Sequence, residues 1–274
     1  MALLSLPSHT VSLWRTFSDN RSLILQLARR EILGRYTGSQ LGVLWSLIQP
    51  LIMLAVYTFV FSVVFQARWE RPTASRSEFA MVLFCGLIVF NLFAECLNRA
   101  PCLILQHSTY VKKVVFPLEI LPWVALCSSL FHLAMSFVVL LCLHTLLTAE
   151  LHWQILLFPV VLIPLTLLIL GLSWFLASLG VFVRDVGQVI GILTTILLFL
   201  SPIFYPLSAV PERFRPILYL NPVSFIVEQT RRVVLWGRNP DVVGLGLYLL
   251  AALAVAWLGL FWFQKTRKGF SDVI

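Results

Sequence analysis

An all-helical protein that crosses a membrane several times is the fold class this sequence predicts, and three observations predict it. Of its 274 residues, 59% are hydrophobic and 12% charged, against about 45–50% and about 25% in ordinary soluble domains. Mean hydropathy is +0.93. The apolar residues also gather into long runs that hold a single formal charge, Glu95, close to the length of about 20 residues that a helix needs to cross about 30 Å of hydrocarbon. A soluble fold has no place for such a surplus. The 21 Phe, 9 Trp and 6 Tyr exclude a disordered chain as well.

Six runs carry the crossings, at 41–65, 79–97, 120–147, 154–183, 189–205 and 242–263. Ahead of them, 20–38 mixes Arg21, Arg29, Arg30 and Arg35 with apolar residues. Ser18, Asp19 and Asn20 offer N-cap oxygens for a helix beginning there. Leu25, Ala28, Ile32 and Tyr36 then form an apolar stripe at 3-4-4 spacing. Such a helix either lies amphipathically at the membrane surface, its arginines snorkelling to headgroups, or stands in water as a plain surface helix. Gly34, Gly38 and Gly42 repeat every four residues, a spacing that would admit close helix packing. Pro50 interrupts the first run and frees a carbonyl that a neighbour must satisfy. The fourth run ends at a tight polar break, Arg184-Asp185.

The fifth run is the unusual one. It holds 17 residues and enters a stretch where Pro202, Pro206, Pro211, Pro216 and Pro222 fall within 21 residues. No continuous helix survives that spacing. Short helical pieces that dip in and return, a re-entrant segment over about 201–237, are expected there, with their backbone groups sheltered by protein. Glu212, Arg213 and Arg215 stand between the prolines and belong at the surface, since burying them in hydrocarbon costs several kcal/mol.

Charge distinguishes the two sides of the membrane. Six crossings put both termini on one side. Twelve of the 20 Lys and Arg fall in segments on that side and eight on the other, which favours cytoplasmic termini. The basic residues are scattered over short connecting segments, as headgroup-facing loops require, which excludes nucleic acid as a partner despite the net charge of +8. Residues 1–20 lack the basic start and apolar core of a cleavable signal, so the first run is expected to direct insertion. Cys85, Cys96, Cys102, Cys127 and Cys142 show no C-x-x-C spacing, and neither a disulfide scaffold nor a metal site is expected.

Catalytic constellations are missing. The sequence contains no G-x-x-x-x-G-K-[ST] phosphate loop and no H-E-x-x-H. His132 and His144 sit in one apolar run and read as buried histidines satisfied by neighbouring carbonyls. Glu95 has two readings: a proton relay within the membrane, or an ion-pair partner of Arg99 four residues on. Tyr57, Phe61 and Phe65 make one helical face aromatic, suited to a substrate with apolar faces or simply to lipid and packing. Phe204 and Tyr205, beside the broken backbone, are the better candidates for a pore mouth. A pump without a nucleotide site of its own implies a separate ATPase.

Two stretches carry a family resemblance. Residues 30–50 read R-E-I-L-G-R-Y-T-G-S-Q-L-G-V-L-W-S-L-I-Q-P, and S-P-I-F-Y-P at 201–206 is followed by N-P at 221–222. Together they resemble the membrane (permease) subunit of type 2 ABC exporters for polysaccharides, the O-antigen, capsule and teichoic-acid permeases, leaning toward those for O-antigen and lipopolysaccharide. The resemblance implies a bacterial inner-membrane protein with a cytoplasmic segment at 1–40, a six-span transmembrane domain at 41–264 and a cytoplasmic tail at 265–274. It implies a homodimer, two separate ATP-binding subunits that hold ATP and Mg, and a lipid-linked glycan as cargo, with no cofactor in this chain. It places ATPase coupling at 106–117, including Tyr110, Lys112 and Lys113, and at Arg184 and Asp185. The substrate channel would take Tyr57, Phe61, Phe65, Phe204 and Tyr205, and the periplasmic gate the five prolines. Other type 2 cargoes (a drug or a lipid), a polyprenyl-phosphate enzyme and an ion-coupled transporter are the alternatives. If 106–117 docks on an ATPase, charge reversal at Lys112 and Lys113 is expected to weaken co-purification with it several-fold while leaving membrane insertion intact.

Overall fold

The apolar runs fold as the hydropathy pattern dictates, because in hydrocarbon a helix satisfies its backbone groups within itself. A computed structural model describes residues 13–60, 76–108, 116–148 and 152–273, and all regular structure among them is helical. The helices are α1 (Leu13–Arg35), α2 (Trp45–Tyr57), α3 (Arg76–Arg99), α4 (Leu103–Gln106), α5 (Leu121–Thr148), α6 (Phe158–Phe182), α7 (Val186–Phe199), α8 (Arg215–Leu220), α9 (Pro222–Val234), α10 (Val242–Thr266) and α11 (Phe270–Val273). Five stretches among the described residues are long and apolar enough to span: Gly42–Val60, Glu78–Gln106, Leu118–Thr148, Trp153–Phe182 and Val242–Gly269.

The fifth predicted run does not make a sixth crossing by itself. It forms α7, whose 14 residues reach about 21 Å at 1.5 Å per residue, short of the hydrocarbon thickness. The helix starts directly after Arg184-Asp185 and stops at Phe199, ahead of the expected 205. Pro202 explains the stop, since it brings no N–H for the next helical bond and turns the residue before it away from helical backbone.

α3 is the pillar of the bundle. Nearly every side chain from Phe79 to Phe90 is buried, and Phe93, Cys96 and Leu97 extend the core toward its end. α5, α6, α7 and α9 pack around it. α6 in turn lies against α10 at backbone distance: a Cβ on Gly171 would stand 2.6 Å from the Val255 carbonyl oxygen, and one on Gly259 2.0 Å from that of Gly171. This is the small-residue packing typical of membrane helices. α2, α7 and α10 keep broad apolar faces exposed, as helices bordered by lipid do.

α1 differs from its sequence reading in two ways. It begins at Leu13, so Ser18, Asp19 and Asn20 lie inside the helix and do not cap it. Its buried face is centred on Ile24 and Ala28, packed on Ile120 and Val124 at the start of α5, with Phe17 against Trp123 (ring centroids 4.9 Å apart). Leu25 is 60% exposed and lies off that face. Gly34, Gly38 and Gly42 do not share a helix surface either, because Gly38 (φ 86°) and Gly42 (φ 53°) form the left-handed turns that lead α1 into α2. Arg21, Arg29 and Arg30 point outward, as the surface-helix reading requires.

The two ends of the bundle are closed by different chemistry. At the α1 end, Arg267 after α10 pairs with Glu119 (2.5 Å) and donates to the Phe116 carbonyl (3.2 Å). There Trp174 Nε1 also donates to the Glu119 carbonyl (3.0 Å), and the Ser178 and Thr266 hydroxyls share a hydrogen bond (2.6 Å). Phe270 of the tail folds back against Phe182 and Phe263. At the far end, Gly237 turns the chain between α9 and α10 at φ +57°, where a Cβ would lie 2.6 Å from the His152 ring. Asp241 caps α10 through the Gly244 N–H (3.0 Å). Replacing Gly171 or Gly259 by Val is expected to cost about 1–3 kcal/mol or more by overpacking. It is read as a lower melting temperature in detergent, whereas Gly246→Ala, facing open space, leaves melting unchanged.

Candidate functional site

The segment between α7 and α9 holds the densest polar chemistry of the far half of the bundle. Each proline stands where its fixed φ and missing N–H fit. Pro206 and Pro211 precede 3-10 turns at Leu207–Ala209 and Glu212–Phe214, Pro216 sits in the first turn of α8, and Pro222 opens α9. The chain leaves α7 at Ser201 and comes back to the same point at Asn221. The Asn221 amide donates to the Leu197 carbonyl (3.1 Å) and the Ser201 hydroxyl (2.8 Å), while its oxygen accepts from the Val223 N–H (3.0 Å). Ser201 in turn donates to the Leu197 carbonyl (2.7 Å). One side chain therefore closes the loop, caps α9 and covers a carbonyl at the end of α7, where intrahelical partners run out.

A second group anchors the same loop from below. Arg231, fully buried, donates to the carbonyls of Val82 (3.1 Å), Pro202 (2.6 Å) and Ile203 (3.2 Å). Glu228 stands 4.0 Å away. Above this anchor the loop body carries exposed Pro211, Glu212, Arg213 and Pro216. Arg215 donates to the Val210 carbonyl (3.1 Å) and pairs loosely with Glu212 (3.5 Å).

The aromatic candidates divide. Phe204 stacks on Phe199 (centroids 5.8 Å apart), and the Tyr205 hydroxyl donates to the Phe199 carbonyl (2.8 Å), so both rings gather at the head of α7. Tyr57 is half-buried against the main core. Phe61 and Phe65 lie outside the described residues, as do Tyr110, Lys112 and Lys113 of the expected coupling segment. Arg184 and Asp185 form the exposed turn before α7. Among the described residues no group of His, Cys, Asp and Glu is placed to hold a metal.

At the α1 end a charge cluster ties the surface helix to the pillar. Arg35 pairs with Glu95 and Arg99 with Glu31, while Glu95 and Arg99 also lie 3.8 Å apart. Glu95 is ion-paired, in close contact with Arg35 and at 3.8 Å from Arg99, the partner its spacing suggested. The Tyr36 hydroxyl meets His132 Nδ1 (3.3 Å), so this histidine is held by a tyrosine and not by a carbonyl. Burial raises the Tyr36 hydroxyl above its ordinary pKa; Arg35 opposes the rise and Glu95 adds to it. Thr194 on α7 donates to Asn98 on α3 (3.1 Å), which joins the short helix to the same end of the pillar. A pocket of about 350 Å3 at the opposite end is lined by Glu78, Val82, His144, Thr148 and Trp236, among others.

The profile of the ABC-2 type transporter family matches residues 22–235. The chain belongs to this family. The matched stretch runs from α1 to the end of α9, so it takes in both the charge cluster and the closed loop. The O-antigen export system permease protein of Myxococcus xanthus is 27% identical over 266 residues, covering 96% of this chain and 100% of that protein. A Klebsiella pneumoniae protein of the same description is 23% identical over 256 residues, 92% and 95% of the two chains. The polysialic acid transport protein of Escherichia coli is 26% identical over 248 residues, 89% and 93%. The motifs at 30–50 and 201–222 thus pointed to the right ABC-2 relatives.

Arg231 and Asn221 escaped the sequence reading of this ABC-2 chain. Arg231 was counted with the headgroup-facing arginines, yet it sits wholly inside. The signal was present: Val223, Val227, Arg231 and Val234 follow 4-4-3 spacing and place it on the apolar face of α9. Asn221→Ala is expected to destabilise the loop by about 0.5–2 kcal/mol from the lost cap, with more from the uncovered Leu197 carbonyl. The measurement is hydrogen exchange, which should speed up at the amides of 197–203 while those of α3 keep their protection.

Proposed function

We propose that this chain is the permease subunit of an ATP-driven exporter that moves a lipid-linked polysaccharide, O-antigen-like in kind, across the bacterial cytoplasmic membrane. The observation that carries the reading is the family match over 22–235 together with relatives named for O-antigen export and polysialic acid transport that align over nine-tenths of the chain. The chain makes and breaks no covalent bond in this reading. It has no phosphate loop, so ATP and Mg are bound by two copies of a partner ATPase, which meet the exposed Arg184-Asp185 turn and the segment at 106–117.

Geometry supports the path. α3 is packed on all sides from Phe79 to Phe90, so a glycan passes along the outside of one bundle, where α2 and α7 present apolar faces through Leu51, Ile52 and Val56 and through Val189, Ile192 and Ile196. A second copy apposed there encloses the path. α7 and the loop after it together make the sixth passage, with 201–222 re-entering from the periplasmic side and Phe204 and Tyr205 at the mouth. Broken backbone at such a depth is tolerated where protein shelters it, which is what Asn221 and Arg231 supply. Both termini are cytoplasmic, and α1 lies along the inner membrane surface.

Two measurements test the reading. The purified chain alone is expected to hydrolyse no ATP, and co-expression with its partner ATPase to give hydrolysis stimulated by lipid-linked glycan; hydrolysis by this chain alone ends the reading, and stimulation only by another lipid or drug moves it to that cargo. After replacement of the native cysteines, Glu212→Cys and Arg215→Cys are expected to react with a membrane-impermeant thiol reagent from the periplasmic side. Labelling from the cytoplasm alone inverts the topology and removes the gate.

A further inference from the structure

Arg231 pairs at 4.0 Å with Glu228 and is held besides by three backbone carbonyls from two separate segments. The Val82 carbonyl belongs to α3. Those of Pro202 and Ile203 lie where the chain has just left α7, beyond the reach of any helical N–H. The planar fork of guanidinium donors bridges such dispersed acceptors, which the single ammonium of lysine does less well. The pillar makes room for it: a Cβ on Gly86 would lie 3.0 Å from Arg231 Nη2 and 3.4 Å from Ile203 Cγ1. Ser201, Pro202 and Ile203 are all buried around it.

The rest of the loop is held differently. Its turns close on themselves, Ala209 on Pro206 (3.1 Å), Val210 on Leu207 (3.2 Å), Phe214 on Pro211 (2.9 Å) and Asn221 on Leu218 (3.2 Å). Tyr219 and Leu220 are exposed by 68% and 83%. The loop thus has one foot fixed to the pillar through Arg231, a second foot fixed through Asn221, and a body with its own internal bonding. Phe204 and Tyr205 follow directly on the first foot.

We propose that Arg231 is a positioning residue of export: with the space provided by Gly86, its guanidinium pins the Pro202–Ile203 foot to α3 and α9, so that the loop body can swing while the Phe204–Tyr205 rings keep their station at the head of α7. This rests on the export function proposed above. It assigns the fixed point of the gate to a residue that touches neither glycan nor water.

The test uses two readouts, one independent of cargo. In the purified chain, tryptic cuts after Arg213 in the loop body (Arg215 precedes Pro216 and resists trypsin) report on how well the foot holds. Arg231→Met is expected to speed those cuts by about tenfold or more, since bonds donated by a charged group are lost. Gly86→Ala, whose new methyl presses on Nη2, is expected to act in the same direction more weakly, and Arg231→Lys to recover part of the protection. In the complex reconstituted with its ATPase, the same order is expected for glycan export. On an Arg231→Met background without native cysteines, oxidation of a Gly86→Cys/Ile203→Cys pair re-pins the foot and is expected to restore both readouts, and reduction to remove them again. Wild-type cutting and export in folded Arg231→Met and Gly86→Ala overturn the proposal, as does a loss that the oxidised pair fails to restore. A wild-type complex that exports no glycan overturns the function and leaves the tryptic result to decide the anchor.

Discussion

A buried peptide group without a partner costs free energy comparable to a lost hydrogen bond, and this chain meets that constraint at the place where α7 stops and no helix takes over. Everything around residues 200–203 answers it. Asn221 returns from twenty residues away to cover Leu197, Ser201 bonds back into α7, and Arg231 reaches from α9 to collect the two carbonyls that no N–H can meet. The side chains that do this come from a helix formed after the break. The loop and α9 are therefore one unit, and α3, which supplies the Val82 carbonyl and the space at Gly86, is the surface on which that unit is built.

The two ends of the bundle use charge in opposite ways. Around α1 the ion pairs are half-exposed and connect separate elements: Arg35 and Glu31 of the surface helix to Glu95 and Arg99 of the pillar. Partial exposure keeps the desolvation cost of such pairs modest and their net strength modest too. At the far end the Arg231 charge is sealed in, and its hydrogen bonds run to backbone carbonyls. α3, which runs between the two ends, and α7, which Thr194 ties to Asn98, connect the α1 cluster to the loop.

Five of the six expected spans and the break after α7 were legible in the sequence because both follow from composition: runs of apolar residues fix the helices, and clustered prolines forbid one. The face of α1 was misplaced by one residue, since Leu25 and Ile24 are equally apolar and only the neighbouring Ile120 and Val124 decide which is inside. The length of α7 was overestimated because Leu200 and Ile203 to Tyr205 are as hydrophobic as a span, although Pro202 already denies them a helical bond. Gly38 and Gly42 had the spacing of a packing motif but the backbone of a turn. Arg231 was hidden by convention, in that an arginine between spans is read as facing headgroups, and the stripe of valines on its own helix says otherwise.

The contact between α6 and α10 bears on how the protein is made. Gly171 and Gly259 touch through their backbones, and Arg267 supplies the counter-charge of Glu119, yet the two partners in each pair are separated by 88 and 148 residues of sequence. During synthesis α6 enters the membrane with its glycine groove facing lipid and with Glu119 unneutralised at its margin. Both defects persist until α10 and Arg267 have left the ribosome. A product cut short before α10 therefore carries an open groove and an orphaned acid into the bilayer, features that a membrane protease can read as damage. α10 and the turn after it are the seal that closes both.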